Sequence, residues 1–189
     1  MIFGLSCRSV LAAATLAGGC SRGVSAQITY PWSADGTIGI GAGKGGEYRN
    51  NDGGAARLAL TERVVQRGQL AMYVEAGYDW FGLGIGGDAV CVVASGGYCR
   101  PLYPSIAGPS ASAGVLLTPL TRLEMRAGLG GAAYSVDGTR LGAVIGQLDV
   151  AGFPAEHIGW IVGARLAVVP RYRHDRLSMI PVLFGLRLR

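Results

Sequence analysis

Between Ala111 and Tyr134 the chain keeps a two-residue period on both sides of a short turn. The first arm reads ASAGVLLT, the turn PLTR, and the second arm LEMRAGLGGAAY. In the second arm Leu123, Met125, Ala127, Leu129 and Ala133 share one parity, and Glu124, Arg126, Gly128 and Gly130 share the other. A period of two marks an extended strand whose successive side chains leave on opposite faces. A soluble sheet keeps its large apolar residues on the buried face and turns its polar face to water. Here the apolar face is small to medium, and the other carries an acid, a base and glycines. That combination fits a strand with lipid outside and a packed polar lumen inside.

Composition narrows the choice. Half of the 189 residues are hydrophobic and 15% are charged. No window reaches the roughly 18 consecutive apolar residues that a spanning helix needs. Two readings remain: a well-buried soluble core, or a membrane barrel. The 32 glycines argue against a helical protein, because each interior glycine costs roughly 1 kcal/mol relative to alanine in a helix. In a tight barrel, glycines relieve crowding and permit bends.

Residues 1–26 read as a cleaved signal peptide. Arg8 is the positive flank, Val10–Ala17 (VLAAATLA) the short apolar run, and Val24-Ser25-Ala26 the small-residue cleavage site. The mature domain, 27–189, then starts at Gln27. Leu16-Ala17-Gly18-Gly19-Cys20 resembles a lipobox with its leucine one place too far upstream, which makes lipidation of Cys20 the lesser alternative. Cys7 lies in the leader. Cys91 and Cys99 remain as an even pair in a loop-like stretch, and a disulfide is the natural reading for an exported chain. No His or further Cys lies near them, and two thiols rarely hold zinc, so no metal is expected. Of 17 basic residues, Arg8 and Arg22 fall in the leader, which leaves a mild excess over 12 acidic ones. The basic residues are dispersed, so nucleic-acid binding is not indicated.

Along the mature chain the pattern repeats. Gln27–Asp35 reads as a lead-in and Thr37–Gly45 as the first strand, with Ile38, Ile40 and Ala42 on one face. Glu47–Gly54 (EYRNNDGG) reads as a polar loop. Ala56–Val65 is the second strand and the least regular. Arg57, Thr61 and Arg63 share a parity, Glu62 interrupts the apolar one, and the composition also suits a helix. Gln69–Phe81 alternates cleanly, with Leu70, Met72, Val74, Ala76, Tyr78 and Trp80 opposite Tyr73, Glu75, Gly77 and Asp79. Gly82–Ser105 is the longest connection and holds both cysteines. After the hairpin at 111–134, Asp137-Gly138 marks a tight turn. Leu141–Gly152, Ile158–Val169 and Leu177–Arg189 complete the set. The sixth strand would place Ala143, Ile145, Gln147 and Asp149 inward, and the seventh Arg165. Pro170–Arg176 reads as a basic loop.

The tally is eight strands of about ten residues, an even number and long enough to cross hydrocarbon with tilt. Short turns at 66–68, 118–121 and 153–157 alternate with longer loops at 47–54, 82–105, 135–139 and 170–176. Tyr48, Tyr78, Trp80, Phe81 and Tyr134 fall near the long-loop ends, and Tyr30, Trp32, Phe153 and Trp160 near the short-turn ends. Two aromatic belts are what interfacial anchoring predicts.

These features together resemble the small eight-stranded outer-membrane barrels of the OmpA/OmpX type, over Thr37–Arg189 and by pattern rather than by a diagnostic motif. The resemblance implies an all-β, eight-stranded antiparallel up-and-down transmembrane barrel behind a cleaved signal peptide. It implies residence in the outer-membrane lipid, delivery by the barrel assembly machinery, and a monomer without cofactors. The chain departs from the pattern at Phe184-Gly185-Leu186-Arg187-Leu188-Arg189, where such barrels commonly end in an aromatic residue.

No catalytic motif is present. His174 with Ser178 and Asp175 would be the only nucleophile–base grouping, of the kind a lipid A-modifying barrel enzyme needs. The inward parity gathers Glu75, Asp79, Glu124, Arg126, Asp149 and Arg165. Such a set could line a polar conduit or form a plug of paired charges. A plug is favoured, since eight strands enclose only enough room for side chains and buried charges must pair. Arg171, Arg173, His174 and Arg176 could meet lipopolysaccharide phosphates or form a solvated turn. The expected function is a structural or surface-interaction role in the outer membrane, without enzymatic activity. The competing reading is a soluble lipocalin-like barrel that binds an apolar ligand, in which Leu123, Met125 and Leu129 would point inward.

Overall fold

A computed structural model of the chain describes residues 30–45, 48–83, 89–92, 98–101, 105–136, 138–172 and 175–189. The leader, with Cys7 and Cys20, lies outside them, as do Arg173 and His174. The strands are β1 (Trp32–Gly45), β2 (Tyr48–Arg67), β3 (Leu70–Leu83), β4 (Ala89–Val92), β5 (Tyr98–Pro101), β6 (Ser105–Leu120), β7 (Leu123–Val136), β8 (Thr139–Gly152), β9 (Ile158–Tyr172) and β10 (Asp175–Leu188). Eight of them close a barrel in the order β1-β10-β9-β8-β7-β6-β3-β2, each antiparallel to its neighbours. β4 and β5 form a separate two-stranded sheet within the β3–β6 connection. The eight-stranded antiparallel barrel expected from the alternating pattern is the observed architecture.

Several boundaries differ from the sequence reading. Asp35 is not lead-in but a member of β1, paired with Arg187 and Ala59. The segment 48–54 is strand rather than loop: Asn51, Asp52, Gly53 and Gly54 pair with Gly43, Ala42, Gly41 and Ile40. The segment 170–176 likewise lies largely within β9 and β10, with Asp175 opposite Tyr172.

β2 is strand throughout, and the helical alternative fails. Helix propensity is worth tenths of a kcal/mol per residue, whereas β2 is hydrogen-bonded along both edges, to β1 and to β3. A bulge moves the β2–β3 register from Arg63↔Tyr73 to Val65↔Met72. One extra residue lets Val64 and Val65 both face outward.

The ladders are not uniform. The closing seam β1–β10 runs unbroken from Ala34↔Leu188 to Lys44↔Ser178. Between β6 and β7, pairing skips Gly108 and Pro109. Between β9 and β10 it skips Ile180 and Pro181. Proline has no N–H to donate, so an interior proline breaks one edge of its strand. Between β8 and β9, pairing begins only at Val144↔Val168 and runs to Gly152↔Trp160, so the first residues of β8 pair with β7 alone.

Candidate functional site

The site with chemical content is the barrel interior, and it is layered. Toward the β3–β6 connection the lumen is apolar, packed with Phe81, Ile106, Tyr134, Ile145, Leu177 and Met179 among others. Phe81 and Tyr134 meet edge to face at 5.7 Å between ring centroids. Both are buried, so they are core residues and not members of an aromatic belt. Toward the opposite end lie two smaller apolar groups, Ala71 with Tyr73 and Leu116, and Ala151 with Phe153 and Ile161. Phe153 too is interior. Tyr78 and Trp80 face outward at one end, and Trp32 and Trp160 at the other.

Between the apolar ends sits an ionic layer. All six residues expected on the inward parity lie in it: Glu75, Asp79, Glu124, Arg126, Asp149 and Arg165 are each at most 8% exposed. Asp35, Arg57 and Arg187 join them. Arg126 on β7 is the hub. Its Nη1 donates to Thr61 Oγ1 at 2.8 Å and Glu75 Oε2 at 3.1 Å. Its Nη2 donates to Asp35 Oδ2 at 2.8 Å and Asp149 Oδ2 at 2.9 Å. One guanidinium thus ties β7 to β1, β2, β3 and β8, using the planar fork that suits carboxylates.

Several of these contacts follow from cross-strand register. Asp35↔Arg187, Arg57↔Asp79, Arg126↔Asp149 and Gln147↔Arg165 are direct partners on adjacent strands. Arg187 grips Asp35 with two hydrogen bonds, of 2.6 and 2.8 Å. Arg165 reaches across the lumen to Asp79 Oδ2 at 3.0 Å, which also accepts the Tyr134 hydroxyl at 2.9 Å. Arg57 bonds Glu75 and lies 3.3 Å from Asp79 Oδ1 through Nε. Gln147 bridges the set: its Oε1 accepts from Arg165, and its Nε2 donates to the Tyr73 hydroxyl and Glu75. Four buried arginines thus face five buried carboxylates. The fifth acid, Glu124, is shared by Arg187, Arg63 and Arg189.

Glycines make room for these side chains. A Cβ on Gly128 would overlap the Tyr73 hydroxyl, and one on Gly163 would overlap the Asp149 carboxylate.

The short-turn end is closed by Arg189. Its guanidinium lies 3.6 Å from the Phe153 ring centroid and 4.8 Å from that of Tyr30, and its Nε donates to the Glu156 carbonyl at 3.0 Å. The Tyr30 hydroxyl donates to Glu156 Oε1 at 2.7 Å, and that bond raises the phenol above its ordinary pKa.

The remaining expected residues are dispersed. Arg171 is exposed near the end of β9, and Arg176 is exposed beside the β10 irregularity. Cys91 and Cys99 are direct partners across β4 and β5. Among the described residues, no group of three or more His, Cys, Asp or Glu side chains could hold a metal ion.

Three lumen charges are not among the six that the inward parity gathers. Asp35 falls in the expected lead-in, and Arg57 in the irregular second strand. Arg187 shares the parity opposite Leu186 and Leu188, a signal the sequence does carry.

No protein-family model matches the chain, and no curated protein matches it in sequence. Among solved structures, the Neisserial surface protein A (NspA) aligns over 84% of this chain and 97% of its own, with a TM-score of 0.61 and 10% identity. Ail, the attachment invasion locus protein of Yersinia pestis, aligns over 84% and 100%, with a TM-score of 0.45 and 11% identity. The chain has the fold of the small eight-stranded outer-membrane β-barrels.

Proposed function

We propose that this protein is an integral outer-membrane barrel with a structural or surface-interaction role, its lumen sealed by paired charges and apolar layers. The observation that carries this reading is the inversion of burial along single strands. On β7, Glu124 and Arg126 are 1% and 2% exposed, while Leu129 is 73% exposed. On β10, Ile180, Val182, Phe184, Leu186 and Leu188 are all exposed, while Arg187 is fully buried. A soluble monomer seldom shows an apolar patch beyond a few hundred Å². Here an apolar band surrounds the barrel, and hydrocarbon is the solvent that suits it. The same parity weighs against a lipocalin-like calyx, which would need Met125 and Leu129 inside.

A sealed lumen weighs against a pore. As an outer-membrane barrel, the chain would be a client of the barrel assembly machinery. The exposed cations at the long-connection end, Lys44, Arg140, Arg171 and Arg176, with Arg173 and His174 between the last two, would face lipopolysaccharide phosphates. Cys91 and Cys99 would form a disulfide within the β4–β5 hairpin. A change in non-reducing mobility on reduction would support it; alkylation of both thiols without reductant would oppose it.

Membrane fractionation with a heat-modifiability gel tests the reading. Recovery in the outer membrane, resistance to alkaline carbonate and a mobility shift on boiling are expected. Soluble periplasmic recovery without a shift would overturn it.

A further inference from the structure

The outward apolar band is not uniform. Around β10, β1 and β3 it is built of Ile180, Phe184, Ile40, Tyr78 and Trp80. Over β6–β9 it recedes to a groove of about 580 Å³, lined almost wholly by apolar groups. Ala113, Ala127, Gly146 and Ala164 form its low points, and Leu129 and Leu166 stand beside them.

Small residues recur beyond the groove, toward the long-connection end. Above Gly146 on β8 come Val144 and Gly142 on the same face. Their β7 partners are Gly131 and Ala133. A Cβ at Gly142 would meet nothing within 4 Å. Val144 stands exposed between Gly146 and Gly142, and the outward row of β8 ends at Arg140, six residues above Gly146, a rise of roughly 20 Å. Arg140 is exposed.

A second observation marks the same place. β8 and β9 stop pairing above Val144↔Val168, and Pro170 follows on β9. Backbone groups at the first residues of β8 thus have no partner on β9, beside Arg140 on one strand and Arg171 on the other. Backbone N–H groups and guanidinium forks are what a phosphate selects.

We propose that this wall seats one lipopolysaccharide molecule, with a phosphate at Arg140 and Arg171 and an acyl chain descending past Gly142 into the groove over Gly146 and Ala164. The inference rests on the outer-membrane reading, which places this end of the barrel in the outer leaflet. It adds a defined position and an acyl subsite to the general attraction of the rim cations. The charge at the mouth and the apolar, narrow trough below it match an anionic head joined to a hydrocarbon chain.

Native mass spectrometry of the folded barrel, titrated with rough lipopolysaccharide and separately with phosphatidylglycerol, tests it. The parent chain should retain lipopolysaccharide in preference. Arg140→Glu with Arg171→Glu should weaken retention about ten-fold, an effect of 1.4 kcal/mol. Gly142→Leu with Gly146→Leu should weaken it to a similar degree by filling the trough. Neither new Cβ clashes: at Gly142 it faces open space, and at Gly146 it meets Leu129 at an ordinary 3.5 Å. Arg67→Glu, exposed at the short-turn end of β2, should leave retention unchanged. A heat-dependent mobility shift confirms that each variant folds. Retention indifferent to the glycine pair, or equal for the two lipids, would overturn the seat while leaving the barrel reading intact. A parent chain without the heat shift would remove the barrel reading and this inference together.

Discussion

Asp35 and Arg187 face each other across the closing seam of the barrel, 152 residues apart in sequence, joined by two hydrogen bonds of 2.6 and 2.8 Å. The first and last barrel strands thus meet through a fully buried ion pair. Removing Arg187 leaves buried Asp35 with Arg126 alone, a loss of up to about 3–5 kcal/mol. Arg187→Ala should lower the unfolding free energy by that amount in urea titrations followed by tryptophan fluorescence. The reversed pair, Asp35→Arg with Arg187→Asp, should not restore stability, because Arg126 also donates to Asp35. Full recovery in the reversed variant would mean that the pair acts alone.

Arg126→Ala should be as damaging, at about 3–5 kcal/mol, since it takes from Asp149 its cation and from Asp35 and Glu75 one of theirs. It should not produce a pore. The apolar layer around Ile106, Tyr134 and Leu177 still closes the lumen. Planar-bilayer recordings should stay silent, and a large conductance with unchanged stability would contradict the plug.

Tyr73 and Gly128 should behave as a coupled pair. Gly128→Ala drives a methyl group into the Tyr73 hydroxyl, and overpacking of this kind costs about 1–3 kcal/mol. In a Tyr73→Phe background the nearest remaining ring atom would lie 3.2 Å from the new Cβ, so the same substitution should cost less. A double-mutant cycle on unfolding free energy measures the coupling; strict additivity would contradict the packing described.

The inner wall at β8–β9 offers a second contact of this type. Gly163→Ala would collide with the Asp149 carboxylate and turn it from Arg126. The expected loss exceeds that of Gly146→Ala on the outer face, where the new Cβ meets only Leu129 at 3.5 Å. Equal losses at the two positions would mean that the lumen is loosely packed.

How much of this was written in the sequence depends on where a residue lies along its strand. In the middle of β3, β7, β8 and β10, alternation alone separates Glu75, Arg126 and Asp149 from Met72, Leu129 and Leu148, because two opposed environments act on successive side chains. At strand ends both environments become aqueous and the contrast fades. Asn51, Asp52 and Gly53 therefore look like a turn although they pair with β1. The apolar end layer escaped for a different reason. Phe81 and Tyr134 read as belt aromatics in the sequence, yet they lie inside with Ile145, since a filled lumen has no need for charge where packing alone can close it. The hub geometry of Arg126 is a product of closure: its four partners come from β1, β2, β3 and β8, and only the barrel brings them together.

The central claim is that the even-numbered residues of β10 from Ile180 to Leu188 face hydrocarbon while the odd-numbered ones face a packed lumen. Single tryptophans at Ile180, Val182, Phe184 and Leu186, and at Met179 and Leu183, in a background without other tryptophans, would report it through fluorescence quenching by brominated lipid. The account predicts strong quenching at the first four positions and little at the other two. Quenching with the opposite parity, or without any alternation, would contradict it.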